Sequence, residues 1–350
     1  MLYLPIGNLA STCVMLMDTC VVVLNHNGRN FVESNISSLL EQTVADFPII
    51  WVDIHSTDDS LDVIRNYKNA RISVISYTSN VGPLNVMNDV TRAEHSNFKY
   101  ILFLNVATRL ASDCIEKLVR VAEKEGSEFG GCFPRILNYD HPDRPYYVGL
   151  DDPTPWKKLF QTMKLFVKNE ASTCKIGVNV DSSTYLETAS YWGLASLLSS
   201  EMLHKVGIDT NLYNYGEERD ISSRAIVSGY KFFFVRDTWI MYKQGAVTRV
   251  NGSRLTPLRS YLSARNEMYL SLKHNGTLIN VINFPAITLY YALRCVFAPE
   301  STVWFARALL WVLQNLHGIP RSTGYSDDDG NPHDRSTLYD HYLHGLIQKE

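Results

Sequence analysis

The chain lacks the features of a metal-thiolate, disulfide-stapled or nucleic-acid-binding protein. Its six cysteines, Cys13, Cys20, Cys114, Cys132, Cys174 and Cys295, are scattered, and none forms a C-x-x-C pair. That spacing gives neither a zinc pattern nor a disulfide framework and fits a reducing compartment. Lys plus Arg total 33 against 36 Asp plus Glu, a net charge of −3. Without a basic excess, no nucleic-acid partner is expected. The opening MLYLPIGNLASTCVMLMDTC is apolar but has no basic n-region, so secretion is not expected and the cytoplasm is. In that setting the N-x-S/T triplets at Asn35, Asn251 and Asn275 read as chance matches. Met17 directly precedes the first strong strand. Translation is therefore expected to start at Met1 or at Met17, with residues 1–18 an N-terminal extension.

The composition, 45% hydrophobic and 20% charged over 350 residues, is that of a globular protein of one large or two small domains. TCVVVLN (19–25) is a continuous β-branched run suited to a buried parallel strand. Asn30 then opens a helix with Glu33 at a capping-box position. Further strands are predicted at 48–56, 71–77 and 99–106, with helices at 58–67, 83–94 and 112–124 between and after them. Such alternation predicts a parallel α/β sheet of nucleotide-binding topology, whose ligands sit at the carboxyl ends of the strands. GGCFPRI (130–136) reads as another strand. Residues 138–185 read as an insertion or lid with one helical piece near 156–167. Regular structure resumes at 192–207, and KFFFVRDTWIMY (231–242) is a late strand. Beyond Pro257 the pattern is helical, and 275–293 runs 19 residues without a charge, long enough in principle to span a bilayer. The last thirty or so residues, with GYSDDDGNPHDRS, read as a loose tail.

YNYGEERDISSRAIVSGY (213–230) places Glu217, Glu218 and Asp220 just before an apolar helical run. Acidic residues at a helix N-terminus offset the macrodipole and accept orphan N–H bonds, each worth roughly 0.3–1 kcal/mol. Asp220 suits that capping role, with Gly229 as the stop. One carboxylate suffices for a cap, so the cluster is either a cap or a proton-transfer site.

In this order the pieces resemble the inverting GT-A glycosyltransferases of family 2, especially the non-processive rhamnosyltransferase-like branch. VVVLNHNG is similar to that family's first strand and turn, WVDIHSTDDS to its V-D-n-x-S-x-D-x-S, and NVGPLNVMND to its N-x-G-x-x-x-x-x-N turn. GIDTNLYNYGEERDISSR resembles its Y-x-E-D-x-D-L-x-x-R segment, and SYLSARNEMYL the R-N that opens its C-terminal helices. The resemblance implies a Rossmann-like, mostly parallel sheet flanked by helices, with a C-terminal helical extension. It implies a glycosyltransferase domain over 19–255, with a nucleotide-binding half at 19–125 and an acceptor half at 126–255. Residues 256–350 form the helical region and tail. It also implies Glu218 as catalytic base, preceded by Glu217, with Asp53 on the nucleobase. Asn25, His26 and Asn27 would form the first nucleotide-contacting turn, and Asn80, Gly82 and Asn88 the loop along the nucleotide.

Two departures concern the metal. Where the family has a D-x-D that holds Mn²⁺ or Mg²⁺ against the diphosphate, this chain reads Asn105, Val106, Ala107. Tyr242 falls where the family often has a metal-binding His. Asn105 offers one weak oxygen ligand and Ala107 none, so no metal ligand is certain. Cationic side chains are the natural substitute at the diphosphate: Lys243, Arg249 and Arg254 after the late strand, and Arg109 beside the altered D-x-D. Tyr191 and Trp192 could stack on an acceptor sugar or serve the core. The chain lacks the Q-x-x-R-W signature of processive members. The expected reaction is a single transfer from a UDP-, dTDP- or GDP-sugar to a glycan, lipid-linked or protein acceptor. A peripheral position on the cytoplasmic face of the membrane would suit the apolar helices. Two alternatives stay open at this point: a descendant that binds nucleotide or glycan without transfer, and an unrelated parallel α/β protein such as a nucleotidyltransferase.

Overall fold

A computed structural model of the chain describes residues 18–93, 98–143, 145–147, 184–193, 195–243, 245, 249–250, 254–297, 299–320 and 343. The helical piece expected near 156–167, the N-terminal extension before residue 18 and nearly all of the tail lie outside the described residues.

Strand β1 (Thr19–Asn25) is buried along its whole length and forms the axis of the sheet. Its side chains alternate between two cores, as the period of two in a strand requires. Val21 and Val23 pack with Val32, Ile36 and Leu39 on one face, while Cys20, Val22 and Leu24 pack with Leu84 and Met87 on the other. On one side of β1 lie β2 (Ile49–Asp53) and then β3 (Ile72–Ser76); on the other lies β4 (Tyr100–Asn105), and all these pairings are parallel. The connecting helices are α1 (Val32–Leu40), α2 (Ser60–Arg65) and α3 (Pro83–Arg92). The capping box expected at Asn30 and Glu33 does not form. Residues Arg29–Phe31 make a 3-10 turn, Phe31 precedes the helix without a side-chain cap, and Glu33 instead pairs with Arg29 at 3.4 Å.

The other half of the sheet is mixed. After the short β5 (Thr108–Leu110) and α4 (Cys114–Glu125) come β6 (Phe129–Asn138), β7 (Pro145–Tyr147) and β8 (Tyr185–Thr188). Strand β9 (Ala195–Ser199) inserts antiparallel between β4 and β6, and β10 (Lys231–Tyr242) runs parallel to β6 and antiparallel to β5. The sheet order is β3-β2-β1-β4-β9-β6-β10-β5, with β7 on β6 and β8 on β10. The fold is thus a mixed α/β sheet with flanking helices and C-terminal helices, as the resemblance implies. Helices α5 (Ser200–Val206) and α6 (Glu217–Val227) precede β10, and a two-stranded ribbon, β11 (Arg249–Val250) with β12 (Arg254–Leu255), follows it.

The C-terminal helices are α7 (Pro257–His274), α8 (Thr277–Phe297) and α9 (Thr302–Gln314). Thr256 caps α7 by accepting the Arg259 amide at 3.2 Å, with Pro257 at the first helical position. The end of α7 is fastened to the base of α6 by a buried ion cluster. Lys273 Nζ lies 2.6 Å from Asp209 and 2.5 Å from Asp220; Arg224 also reaches Asp220 at 2.5 Å, and His274 Nε2 at 2.8 Å. Tyr269 donates its hydroxyl to Asp209 at 2.7 Å. Burial works against the Asp220 carboxylate, but the charges of Arg224 and Lys273 and the His274 hydrogen bond outweigh it and hold the group well below the usual range. Removing one partner of such a cluster leaves a buried charge uncompensated. Lys273→Met is therefore expected to lower stability by about 3–5 kcal/mol, read as a shift of the urea midpoint at unchanged slope.

Candidate active site

Two turns at the carboxyl ends of β1 and β2 interlock. Asn25 is fully buried, and its Nδ2 donates to Asp53 Oδ1 at 2.7 Å, Ser60 Oγ at 2.9 Å and Ser56 Oγ at 3.1 Å. Asp53 Oδ2 accepts the Ser56 amide at 3.0 Å, so both oxygens of this 1% exposed carboxylate are engaged within the turn. Asn27 sits at φ 51° and His55 at φ 58°, left-handed backbone that is uncommon outside glycine. Asn27 compensates through Oδ1, which accepts the Thr57 amide at 2.7 Å and the Asp58 amide at 3.3 Å. His26 Nδ1 lies 2.8 Å from the Ile54 carbonyl, which can only accept. Nδ1 therefore carries a proton. Gly28 is required here, since an added Cβ would stand 2.4 Å from Val106 and 2.5 Å from Asn25 Oδ1.

The second loop is joined to the acidic helix. Asn80 Oδ1 accepts the Gly82 amide at 3.1 Å and the Tyr213 hydroxyl at 2.8 Å. Gly82, at φ 80°, lies so close under the Tyr213 ring that a Cβ would meet it at 2.5 Å. Asn88 lies partly exposed within α3.

The acidic residues divide differently from the expectation. Helix α6 begins at Glu217 behind Gly216, so Asp220 is in the first turn and does not cap. It is drawn into the ion cluster because Arg224 and Lys273 reach it there. Gly229, at φ 90°, does follow the helix end. Glu217 is 6% exposed and its Oε2 has no partner among the described residues. Burial, followed by the charge of Glu218, raises its carboxyl well above the usual range. Glu218 is half-buried, and burial raises its carboxyl too, opposed by its own amide and those of Gly216 and Gly193. Gly193 is the floor beneath the pair: a Cβ there would stand 2.6 Å from Glu218 Oε1 and 3.4 Å from Glu217 Oε1.

The aromatic expectations separate. Tyr191 is fully buried with its ring centroid 5.7 Å from that of Phe232, so stacking on an acceptor is not open to it; enclosure by the core overrides that expectation. Its hydroxyl has no partner among the described residues and is held up by burial and by the charges of Glu217 and Glu218. Trp192 is partly exposed beside it.

At the end of β4 the residues do not fit a divalent cation. Asn105 Oδ1 accepts the Ala107 amide at 2.9 Å in a local turn, and Ala107 is a buried methyl. No cluster of three or more His, Cys, Asp or Glu arranged for a metal occurs among the described residues. Two of the expected cations come to this turn. The Lys243 amide donates to the Ala107 carbonyl at 3.0 Å while its side chain pairs with Asp140, and Arg109 is exposed on the adjoining β5. Arg249 and Arg254 lie on β11 and β12, where Arg249 pairs with Leu255 and Val250 with Arg254. Tyr242 ends β10 opposite Thr108. Sequence reasoning passed over Gly193 and Tyr213; the only signals were a glycine after an aromatic pair and a tyrosine among many.

Residues 20–180 match the family Glycosyl transferase family 2. Two Bacillus subtilis (strain 168) proteins are similar in part. TuaG, named as a teichuronic acid biosynthesis glycosyltransferase, is 28% identical over 99 residues, 28% of this chain and 38% of that protein. EpsJ, an uncharacterized glycosyltransferase, is 31% identical over 114 residues, 32% of each chain. The chain thus spans about a third of the length of these curated relatives. Among solved structures, that of GalNAc-T7 with UDP, GalNAc and Mn²⁺ superposes with a TM-score of 0.56 at 16% identity, covering 89% of this chain and 56% of that one. The likeness confirms the fold. The family match and the two relatives support a glycosyltransferase.

The raised Glu217 carboxyl has a stability consequence. A group whose folded pKa exceeds its unfolded value stabilises fully below the unfolded value, and that contribution is lost as pH rises through the folded one. Glu217→Gln is therefore expected to gain Tm relative to the unaltered protein at pH 8 and to show little difference at pH 4, in paired thermal melts.

Proposed function

We propose that this chain moves a single sugar from a nucleotide-sugar donor to an acceptor with inversion, using Glu218 as general base. The observation that carries the reading is the Tyr213 contact. It sets the start of the acidic helix directly against the Asn80–Gly82 loop, so a donor along that loop lies beside a half-buried carboxylate. Glu218 takes the acceptor hydroxyl proton as that oxygen attacks the anomeric carbon. The bond to the diphosphate breaks on the opposite face, and the nucleoside diphosphate leaves with the electron pair. General-base help of this kind is worth roughly 10²–10⁴ in rate, and a pKa above the usual carboxylate range brings the base closer to working pH.

The nucleobase lies against His26, Asn27 and Asp53. Each Asp53 oxygen has one protein partner and keeps a lone pair for a ring N–H of the base, which UDP, dTDP and GDP all carry. No step passes through a metal, because Asn105 and Ala107 do not supply its ligands. The leaving charge falls instead to Arg109 and Lys243, with Arg249 and Arg254 on the neighbouring ribbon. Trp192 remains as the acceptor platform, and hexosyl or rhamnosyl transfer both fit. Asn105, Ala107 and Tyr242 favour the second reading, binding of nucleotide or glycan without transfer. Hydrolysis and transfer across a panel of UDP-, dTDP- and GDP-sugars, with and without Mn²⁺, decides between them. Glu218→Gln is expected to lower kcat by about 10²–10⁴, and the acid limb of the unaltered enzyme's kcat/KM is expected above the ordinary Glu range. Full activity in Glu218→Gln would sink the base assignment.

The acceptor is proposed to be a glycan or lipid-linked saccharide met at the cytoplasmic membrane surface. Among the described residues one helix, over Thr277–Val296, is long and apolar enough to cross a membrane, and only 11% of its most apolar stretch is buried. Leu278, Val281, Ile282, Leu289, Leu293 and Val296 are exposed on it at helical spacing, the pattern of an interfacial helix. TuaG's naming for teichuronic acid biosynthesis fits such an acceptor. The protein is expected to float with phosphatidylglycerol vesicles, and Val281→Glu with Leu289→Glu to leave it at the bottom of the gradient.

A further inference from the structure

The segment that delivers Glu217 and Glu218 to the site is held in an unfavourable backbone. Tyr213 stands at φ 61°, Tyr215 at φ 70° and Gly216 at φ 91°, three left-handed residues within four positions. Two of the three carry a Cβ, at a cost of order 1–3 kcal/mol each. Such a path persists only where surrounding structure determines it. Little of the required restraint comes from the segment's own amides, which reach back to Asp209, Thr210 and Leu212.

The restraint comes from two adjacent residues of α7. Arg265, 1% exposed, donates from Nη2 to the Asn211 carbonyl at 2.6 Å and the Leu212 carbonyl at 2.9 Å. Asn266, 3% exposed, donates from Nδ2 to the carbonyls of Leu212 at 3.0 Å, Asn214 at 2.8 Å and Tyr215 at 2.8 Å. The two side chains are locked together by Arg265 Nε donating to Asn266 Oδ1 at 2.9 Å. The guanidinium is seated 4.8 Å from the Trp311 ring centroid, so α9 backs the clamp. One helical turn further along α7, Leu270 lies where a Cβ on Gly216 would stand 2.8 Å away, fixing the last residue before the acidic pair.

We infer that Arg265 and Asn266 are positioning residues for Glu217 and Glu218, holding the 211–216 segment in the strained path that aims the two carboxylates and seats Tyr213 on Gly82. The catalytic side of this inference rests on the proposed glycosyltransferase reading; the clamp itself does not. The pair touches neither donor nor acceptor. Its loss therefore moves the base, while the interlocked nucleotide turns of β1 and β2, built from other residues, stay in place. A displacement of about 1 Å at a reacting group can cost about 10² in rate.

Asn266→Asp is the diagnostic change, because it keeps the size of the side chain and its acceptor for Arg265 while removing every donor to the loop. Arg265→Lys is the second variant. Each is followed by thermal melting, by amide hydrogen exchange across the chain, and by donor KM and kcat with the best donor found. Both variants are expected to melt cooperatively, with exchange accelerated at least tenfold at 213–218 and unchanged within twofold in β1 and β4. kcat is expected to fall about 100-fold with donor KM within twofold. Unchanged protection at 213–218, uniform loss of protection over the sheet, or a full kcat in a folded Asn266→Asp protein would each overturn the inference. If the unaltered protein transfers no sugar, the glycosyltransferase reading fails, and the exchange pattern alone still decides the clamp.

Discussion

The site depends on one buried lysine. Lys273 reaches Asp209 and Asp220 together, and these two residues bracket the whole segment from Asp209 to the first turn of α6. Two ionised aspartates enclosed at 2% and 0% exposure would repel each other without a cation between them. With Lys273 in place, and Arg224 and His274 completing Asp220, the start and end of the segment are pinned to one end of α7. Eight and seven residues earlier on that helix stand Arg265 and Asn266. A single helix thereby fixes the ends and the middle of the loop that presents the acidic pair. The C-terminal helices are thus part of the site's construction rather than an appendage to a nucleotide-binding domain.

The three first-turn carboxylates of α6 show how environment divides like groups. All sit where the helix dipole and free amides favour negative charge. Asp220 meets three basic side chains and is held ionised. Glu217 meets burial and a neighbouring carboxylate and is pushed towards the neutral form. Glu218 is more exposed than either and is offered backbone amides by Gly193 and Gly216. The arrangement of two carboxylates pushed towards opposite protonation states beside a more exposed third suits the proposed proton-accepting role of Glu218. It could not be had from a plain cap, for which one ionised group would be enough.

Much of this was legible from residue pattern. The buried run at 19–25, the alternation of strands and helices to residue 124 and the helical C-terminal region are found near their predicted places, because long periodic segments follow their own hydrophobic pattern. The short β5 was not foreseen, since three residues carry no period. The antiparallel insertion of β9 was not foreseen either, because its all-buried run ASLLS reads alike in parallel and antiparallel sheets. Glu33 and Asp220 were misread for a common reason. Both suit a local role by spacing, and in both cases a basic partner, Arg29 or the Lys273 cluster, takes the carboxylate instead. Tyr191 failed as an acceptor platform because burial is a tertiary property that sequence spacing does not carry. Gly193 and Tyr213 matter only through what faces them, Glu218 and Gly82, from more than twenty residues away in sequence.

Backbone strain locates the site independently of side-chain chemistry. Among the described residues the non-glycine positions with positive φ are Asn27, His55, Tyr213 and Tyr215. The first two lie in the interlocked turns of β1 and β2, and the second two lie in the clamped approach to α6. Each costs free energy that a fold chosen for stability alone would not need; the backbone at Asn27, Tyr213 and Tyr215 is held by hydrogen bonds with Ser56, Leu84 and Asn266. Strain in both places argues that each segment is held where something other than stability requires it. The proposed nucleotide at the β1 and β2 turns would account for the first pair. The second pair is accounted for by the proposed demand on where Glu217 and Glu218 point, since Tyr213 and Tyr215 lead directly into the helix that carries them.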